Sequence, residues 1–592
     1  MHQQTPALYW AGLILLALLM TMKYFPGLEN EQAYAGNAFQ TVFPDSFVGD
    51  TSLDPGQPVT SKPLRLSLLY LFPKLFGEIW LDDFFLAFFY AAIVAAALLG
   101  VDRIAVTLGL RHVYERGLVL LFFAKDHQLL TGKVLVAHHQ DVNHSALAVP
   151  VIIWLIYLAL ARKHLLFLLA MSIVLVATSP RIALFPVLFA MLAKFAAGSR
   201  ADRIAIAALS VLGVLVMYLF LFQLYPIPPA DKLAMWEILK DIEGDDANAF
   251  VQDSLGNIWI RHGVWLALIV ATLFFPGGDR RAYPGVRTIM AAALFMWAAH
   301  GLYINYAPDF LKVPFLISLV PARCLSLAQN IAYIALIAAA IGYLRENPVT
   351  PARLAVVGAG LGFLYLIGPG NYLMWTGLLA AVAAAGLGVV WGYRNWQSAA
   401  NEPLTRYWPA LLLIPLLVMT SLNFANAARN NADAWKSAWV HGVYGHNMTA
   451  KWIGIAEFFR DETPPGTSIL PFHCKPPEAV CDRLGVNRAL ATRSGKAVSI
   501  PDVVGIGFNR ADTWQALEEH REILADAGDA LVRGNPEPLA DIVDTLTPPP
   551  THLVLPRQLD VNARIEDTLP FDQLRIFPDF IVYERRHANG RT

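Results

Sequence analysis

Charge is scarce in this chain. Of 592 residues, 45 are Lys or Arg and 46 are Asp or Glu. That 15% charged fraction lies well under the roughly 25% of an ordinary soluble protein, which excludes one long soluble enzyme. The signs also cancel, to a net charge of −1, so no basic field exists to grip a phosphate backbone and nucleic acid is excluded as a partner. No P-loop, no Ser or Cys nucleophile constellation and no zinc motif occurs in the sequence, which leaves those three chemistries without support. Cysteine is limited to Cys324, Cys474 and Cys481.

Apolar residues are abundant, at 56%, and they are unevenly placed. Residues 1–431 carry 52 charged side chains, near 12%, while 432–592 carry 39, near 24%. The first stretch has the composition of a membrane protein and the second that of a soluble domain. A helix crosses about 30 Å of hydrocarbon in about 20 residues, because lipid obliges every backbone group to bond within its own helix. By that ruler thirteen apolar runs qualify, near 8–24, 82–100, 113–124, 145–161, 164–179, 181–197, 203–224, 259–275, 286–303, 325–344, 354–369, 373–391 and 408–424. The run 311–322, broken by Pro314 and Pro321, reads as re-entrant or interfacial.

Basic residues mark one side. Alternate short loops carry Arg103, Arg111 and Arg116; Arg162 and Lys163; Lys194, Arg200 and Arg203; Arg280, Arg281 and Arg287; Arg345 and Arg353; Arg394 and Arg406. The intervening loops are longer and often acidic. Positive-inside bias then puts the amino terminus in the cytoplasm and 432–592 outside it, on a multi-pass protein of the cytoplasmic membrane. Ala33-Tyr34-Ala35 resembles a signal-cleavage box, but no Lys or Arg precedes Lys23, so an uncleaved first helix is favoured. Cys474 and Cys481 fall in the oxidising compartment on this topology and are candidates for a disulfide, two unpaired thiols being the alternative. Cys324 reads as a small buried residue.

The first outward loop, about 25–81, gathers polar residues just past a membrane exit: Glu29, Glu31, Asp45, Asp50 and Asp54. It runs on into PLRLSLLYLFPKLF, residues 63–76, with Lys62, Arg65 and Lys74 as cationic punctuation. That pattern suits an interfacial helix whose basic groups reach toward phosphate. A carboxylate there could deprotonate an acceptor hydroxyl while the cations neutralise a departing phosphate; a solvated acidic loop over a packing helix explains the same composition. The second outward loop holds His138, His139, Asp141 and His144. Those residues admit a divalent metal ion, contacts to acceptor or phosphate, or a plain wet loop. Arg181 and Arg323 stand at outer helix ends, where a charge at the hydrocarbon edge is either functional or snorkels to the headgroups. His300, Tyr303, Asn305, Tyr306 and Asp309 share another outer end. Gly358, Gly360 and Gly362 lie inside an apolar run, where they permit close helix packing. Asn447-Met448-Thr449 has the form of a glycosylation acceptor.

Beyond about 448 the pattern changes to that of an α/β domain. KWIGIAEFFRDETPPGTSIL reads as an amphipathic helix, a turn at Pro464-Pro465-Gly466 and a strand; WQALEEHREILADAG reads as a helix; THLVLP and LRIFPDFIVYERR read as strands. Arg493, Lys496, Asn509 and Arg510 are expected in a solvated loop, with a place facing a membrane cavity as the alternative.

The chain resembles the GT-C superfamily of polytopic glycosyltransferases, which includes bacterial aminoarabinose transferases and protein O-mannosyltransferases. NEQAYA, from Asn30 to Ala35, is similar to a D-E-x-x-Y-A element that follows the first helix in those enzymes. SKPLRL, from Ser61 to Leu66, is similar to their K-P-P-L element leading into an interfacial helix. The specific motifs cover only about 29–66, and the family's leading acid corresponds here to Asn30, flanked by Glu29 and Glu31. The resemblance implies a GT-C-like membrane domain over 1–431, about thirteen transmembrane helices and mainly α, with an extracytoplasmic α/β domain over 432–592. It implies a sugar donor carried on polyprenyl phosphate, reached through the membrane lipid, and a glycan, lipid or protein acceptor. Glu31, Asp50 and Asp45 are the candidate bases; Glu29, Tyr34, Lys62, Arg65, Arg181, Arg323, His138 and His139 are candidate substrate contacts. Some members of the superfamily bind a divalent metal ion. Two other readings are kept: a polymerase or ligase of lipid-linked glycans, leaning on the outward arginines, and a transporter. Against the transporter stand clean spans, no repeat, and charges at outer ends rather than mid-membrane.

Overall fold

The computed structural model of the chain describes residues 7–21, 74–77, 83–124, 144–178, 180–219, 233, 236, 266–274, 282–312, 322–366, 402–430, 432, 436, 450–472, 490, 494, 496–499, 523–524, 526–546 and 548–586. It is mostly helical with one small sheet. The chain divides into two compact units. One comprises Met1–Tyr24, Phe88–Pro228 and Lys232–Asn430; the other comprises Phe25–Ala87, Pro229–Asp231 and Asn431–Thr592.

The first unit is built from α1 (Ala7–Met20), α2 (Asp83–Thr107, from Phe88 onward), α3 (Val113–Ala124), α4 (His144–Leu160), α5 (Leu165–Thr178), α6 (Pro180–Ala197), α7 (Arg200–Leu219), α8 (Tyr283–Tyr306), α9 (Ala322–Glu346), α10 (Pro351–Leu366) and α11 (Glu402–Asn430). Of the thirteen apolar runs, all but 373–391 coincide at least in part with described helix, and 373–391 lies outside the described residues. Among the described residues three helices are long and apolar enough to cross a membrane: Phe85–Thr107, Leu327–Glu346 and Tyr407–Asn430. Ala7–Met20, Leu147–Leu160, Leu165–Val176 and Ala183–Ala197 are shorter apolar helices. The short third run is a 12-residue helix, α3, which spans only about 18 Å at 1.5 Å per residue.

These helices are apolar on nearly every side, as expected of segments that meet either other helices or lipid. Their burial sorts them. In α9, 72% of the apolar window is buried, against 22% in α11, so α9 is central and α11 peripheral. Close approach needs glycine at two crossings. A Cβ on Gly100 would sit 2.7 Å from Cγ2 of Ile153, and one on Gly285 would sit 2.9 Å from Cδ2 of Leu160 and 3.5 Å from Cβ of Ala193. Short turns make α4, α5 and α6 alternate in direction, so α4 and α6 run parallel. Because the start of α8 meets the ends of α4 and α6 at Gly285, α8 runs against both. The unit therefore has a turn end, where the short connections 161–164 and 198–199 and the start of α8 gather. Its opposite end carries the starts of α4 and α6 and the finish of α8.

The second unit contains α12 (Ala450–Glu462), β1 (Ser468–Pro471), β2 (Ala497–Val498), α13 (Glu537–Ile542), β3 (His552–Pro556), α14 (Ile565–Thr568), β4 (Phe571–Ile576) and β5 (Phe580–Arg585). Strand order is β2-β1-β3-β5-β4. β1 is parallel to both β2 and β3, while β5 runs antiparallel to β3 and β4. Alternation along the strands divides the core between two faces. Ile469, Val554, Phe580 and Val582 pack with Trp452, Ala456 and Phe459 of α12. Leu470, Leu553, Leu555, Ile581 and Tyr583 pack with Leu531, Leu539, Val543 and Ile565. Both faces of β3 and β5 are thus covered, which is why these strands read as continuous apolar runs.

The helix, turn and strand expected over 451–470 are present, with Gly466 at φ +84 closing the turn. The stretch expected as one strand near 574–586 is two. Pro578 has no N–H to give a ladder, and the chain folds back so that Ile576 faces Ile581 and Phe577 N–H donates to the Phe580 carbonyl at 2.7 Å. β4 forms the outer strand and all of it after Phe571 is exposed.

Candidate functional site

The turn end holds the first unit's buried ionic groups. Asp102, near the end of α2, is fully buried, and Arg116 in the first turns of α3 is 5% exposed. Arg116 Nε and Nη2 each donate to a different Asp102 oxygen at 2.6 Å, a two-pronged geometry suited to guanidinium and carboxylate. Tyr9 of α1 donates its hydroxyl to the same carboxylate at 2.5 Å, and its ring lies 4.5 Å from the Arg116 guanidinium carbon. One carboxylate thereby ties three helices together. Glu115, also buried, accepts from the N–H groups of Arg111 and His112 at 2.8 and 3.0 Å and caps α3 from within its own first turn. Its other oxygen faces Arg345 of α9 at 3.7 Å. Arg345 also donates to the Gly109 carbonyl at 3.4 Å, bringing the turn 108–112 and the finish of α9 together. Lys194 of α6 donates to the Lys163 carbonyl at 2.7 Å and pairs with Asp202 at 3.4 Å. Among the described residues one oxygen of Glu115 accepts no hydrogen bond and is met only by the Arg345 charge; the other groups here are partnered by neighbouring helices and turns, so the network fastens helices.

A small cavity lies between α2, α3, α4 and α9. It measures about 20 Å³ and is lined by apolar side chains with Asn330 as the one polar member. That volume suits about one water molecule and cannot admit a sugar.

The opposite end has a different character. Arg181 is the second residue of α6 and Arg323 the second of α9. A cation at a helix amino terminus opposes the helix dipole, while the first-turn N–H groups of a helix, which lack an intrahelical partner, attract anions. At the finish of α8, Tyr303 donates to the Leu311 carbonyl at 2.8 Å and meets the buried Trp236 edge-on at 5.3 Å. Lys312 places its ammonium 5.9 Å from the Trp236 ring centre and 3.0 Å from a carboxylate oxygen of Asp309. Tyr306 and Phe310 are exposed beside it. Of the outer-end residues expected from sequence, Tyr303 and Asp309 fall in this cluster. Trp236 and Lys312 were not anticipated, and the only signal for Lys312 was its i,i+3 spacing from Asp309.

Glu29, Glu31, Tyr34, Asp45, Asp50, Lys62, Arg65, His138, His139, Cys474 and Cys481 lie outside the described residues. Among the described residues no group of three or more His, Cys, Asp or Glu side chains is placed to hold a metal ion.

In the second unit, Lys496 is not in a solvated loop. It is 8% exposed, and its ammonium donates to the carbonyls of Thr463 and Pro464, each at 2.9 Å. Burial pushes its pKa down. The side chain fastens the turn between α12 and β1 from inside. Tyr583 donates to the side-chain oxygen of Asn562 at 3.0 Å; burial first, then the charge of Glu566, raises its pKa to about 12.

No protein-family model matches the chain, and no curated protein matches it. Among solved structures the chain is similar to the arabinofuranosyltransferase AftD from mycobacteria, determined by single-particle cryo-EM. The identity is 15% and the TM-score 0.47, and the match covers 98% of this chain and 42% of that one. The chain thus spans about two fifths of the length of the protein it matches. A likeness of that depth assigns neither an activity nor site residues to this chain.

Proposed function

We propose that this protein is an integral membrane glycosyltransferase that moves a sugar from a polyprenyl phosphate carrier to an extracytoplasmic acceptor. The reading treats 1–431 as the membrane domain, 432–592 as the extracytoplasmic domain and the turn end as the cytoplasmic one. The observation that carries it is the placing of Arg181 and Arg323 in the first turns of α6 and α9. An arginine in a helix's first turn brings positive charge to a stretch of backbone whose N–H groups lack intrahelical partners, a combination that suits a lipid-linked phosphate.

In the proposed reaction a carboxylate of the first loop, Glu31, Asp50 or Asp45, takes the proton of an acceptor hydroxyl. The hydroxyl oxygen bonds to the anomeric carbon as the bond from that carbon to the phosphate oxygen breaks, with inversion. The electron pair of the broken bond stays on the phosphate, and polyprenyl phosphate departs with one more negative charge. Lys62, Arg65, Arg181 and Arg323 stabilise that charge, Glu29 and Tyr34 orient the sugar or acceptor, and His138 and His139 serve as further substrate contacts. Partial desolvation raises the basicity of the carboxylate.

Transfer from a defined polyprenyl-phosphate sugar, measured with Glu31→Gln and Asp50→Asn, tests this assignment. Loss of about 100-fold or more in at least one variant is expected for removal of a general base, and full transfer by both would refute it. Arg323→Ala sharpens the outcome. If it abolishes transfer to a lipid-linked acceptor while Glu31→Gln leaves that transfer intact, the chain is a lipid-linked glycan ligase or polymerase instead.

A further inference from the structure

The turn end of α4 through α8 bears a set of cations that the proposed reaction does not use. Lys163 lies in the α4–α5 turn, Arg200 and Arg203 open α7, and Arg287 lies in the first turns of α8; all four are exposed. Contacts hold the Lys163 turn and the start of α7 together, with the start of α8 packed against the ends of α4 and α6. Lys194 bonds the Lys163 carbonyl at 2.7 Å, Arg203 Nε donates to the Phe195 carbonyl at 3.0 Å, and Gly285 abuts Leu160 and Ala193. Arg287 sits over the Tyr283 ring, 4.6 Å from its centre.

Among the described residues counter-charge is nearly missing. Asp202 is the carboxylate of this set among the described residues, and it is occupied: it accepts from the Ser199 N–H and hydroxyl, each at 3.0 Å, and pairs with the buried Lys194. Among the described residues the exposed cations thus meet no carboxylate of their own. Immediately beside them the surface turns apolar. Leu166, Phe167, Phe195 and Ile204 are between 41% and 66% exposed. A free phosphate would gain nothing from these side chains, whereas a lipid presents a charged head and acyl chains in that same order.

We infer that this end of the unit binds the headgroup of an anionic phospholipid, its phosphate among Lys163, Arg200 and Arg203 and its chains along Leu166, Phe167, Phe195 and Ile204. Cations at a membrane surface each contribute about fivefold to association with anionic lipid, so the three together give roughly a hundredfold preference over a zwitterionic lipid. This inference concerns the end remote from the proposed transfer chemistry and stands apart from it.

The test uses the full chain purified in detergent, with native mass spectrometry and thermal unfolding as readouts on titration with phosphatidylglycerol, phosphatidylcholine or inorganic phosphate. Phosphatidylglycerol is expected to be retained and to raise the unfolding temperature, and the other two are not. The combined variant Lys163→Gln, Arg200→Gln, Arg203→Gln is expected to bind phosphatidylglycerol roughly a hundredfold more weakly while unfolding near the parent temperature without lipid. A second variant with the same change in net charge, Arg460→Gln, Arg575→Gln, Arg585→Gln in the sheet-bearing unit, is expected to bind as the parent does. Equal retention of phosphatidylcholine, a shift with inorganic phosphate as large as with the lipid, or equal losses in the two triple variants would each overturn the site. If the triple variant unfolds early, single Gln variants that fold as the parent does must each weaken binding several-fold, and unchanged binding in all of them overturns it.

Discussion

The two units place charge and apolar surface in opposite ways. In the helical unit the two-pronged ion pair of Arg116 with Asp102 is buried, Lys312 with Asp309 being a pair at its surface, while large apolar side chains such as Leu166, Val211, Phe274, Phe295 and Leu422 are more than 60% exposed. In the sheet-bearing unit the ion pairs lie at the surface: Arg575 with Glu462, Arg585 with Asp544 and Arg586 with Asp572. Its strands β3 and β5 are instead buried on both faces. One unit is arranged for a solvent of hydrocarbon and the other for water. In hydrocarbon, outward apolar side chains carry no penalty and a charge is stable only where a partner meets it inside the protein; in water the reverse holds, and exposed pairs contribute little.

That contrast predicts where a mutation does most damage. Asp102→Asn should destabilise the helical unit by about 3–5 kcal/mol, because Arg116 is left buried without its anion. Thermal unfolding in detergent measures it, and the double variant Asp102→Leu, Arg116→Met should recover most of the loss. Arg586→Gln in the other unit removes a surface pair and should change stability by about 1 kcal/mol or less. If the two single substitutions cost the same, the contrast between the units fails.

Packing sharpens it further. Gly100→Val forces a side chain into Ile153 and Trp154 and should cost about 1–3 kcal/mol by overpacking. Lys496→Met leaves the Thr463 carbonyl without its lysine donor, while Pro464 keeps Thr467; the cost should be about 1–3 kcal/mol, and limited proteolysis at the α12–β1 turn should accelerate. The smallest effect depends on pH. Tyr583 titrates near 10 when unfolded and at about 12 when folded, so the unfolded chain loses its proton first. The contribution of this group is complete below pH 10 and is lost as pH rises from about 10 to about 12. Tyr583→Phe should remove that alkaline loss from the stability profile.

Helices were the most legible part of the sequence, since an apolar run in a charge-poor region has few other ways to satisfy its backbone. The expected runs at 145–161, 164–179 and 181–197 lie within a residue or two of α4, α5 and α6. Lateral partners were less legible. Arg116 reads as one more basic residue of a short loop, and nothing local reveals that it meets Asp102 and Tyr9 across two other helices. Lys496 defeated a polarity reading because its long stem buries easily and its ammonium finds backbone carbonyls. LRIFPDFIVYERR looked continuous because both arms of the hairpin are apolar or aromatic, and only Pro578 marked the reversal. For the candidate site, sequence located Arg181 and Arg323 at helix ends, and the structure puts both in first turns. The carboxylates that would do the chemistry sit in a segment with little periodicity, where residue type suggests a role and spacing fixes no geometry.

Sugar transfer by the purified full chain, from a polyprenyl-phosphate donor to a hydroxyl acceptor, compared among the parent, Glu31→Gln and Asp50→Asn, tests the central claim most directly. The account predicts turnover by the parent and a fall of about 100-fold or more in at least one variant, with the protein still folded. Undiminished turnover in both would contradict it.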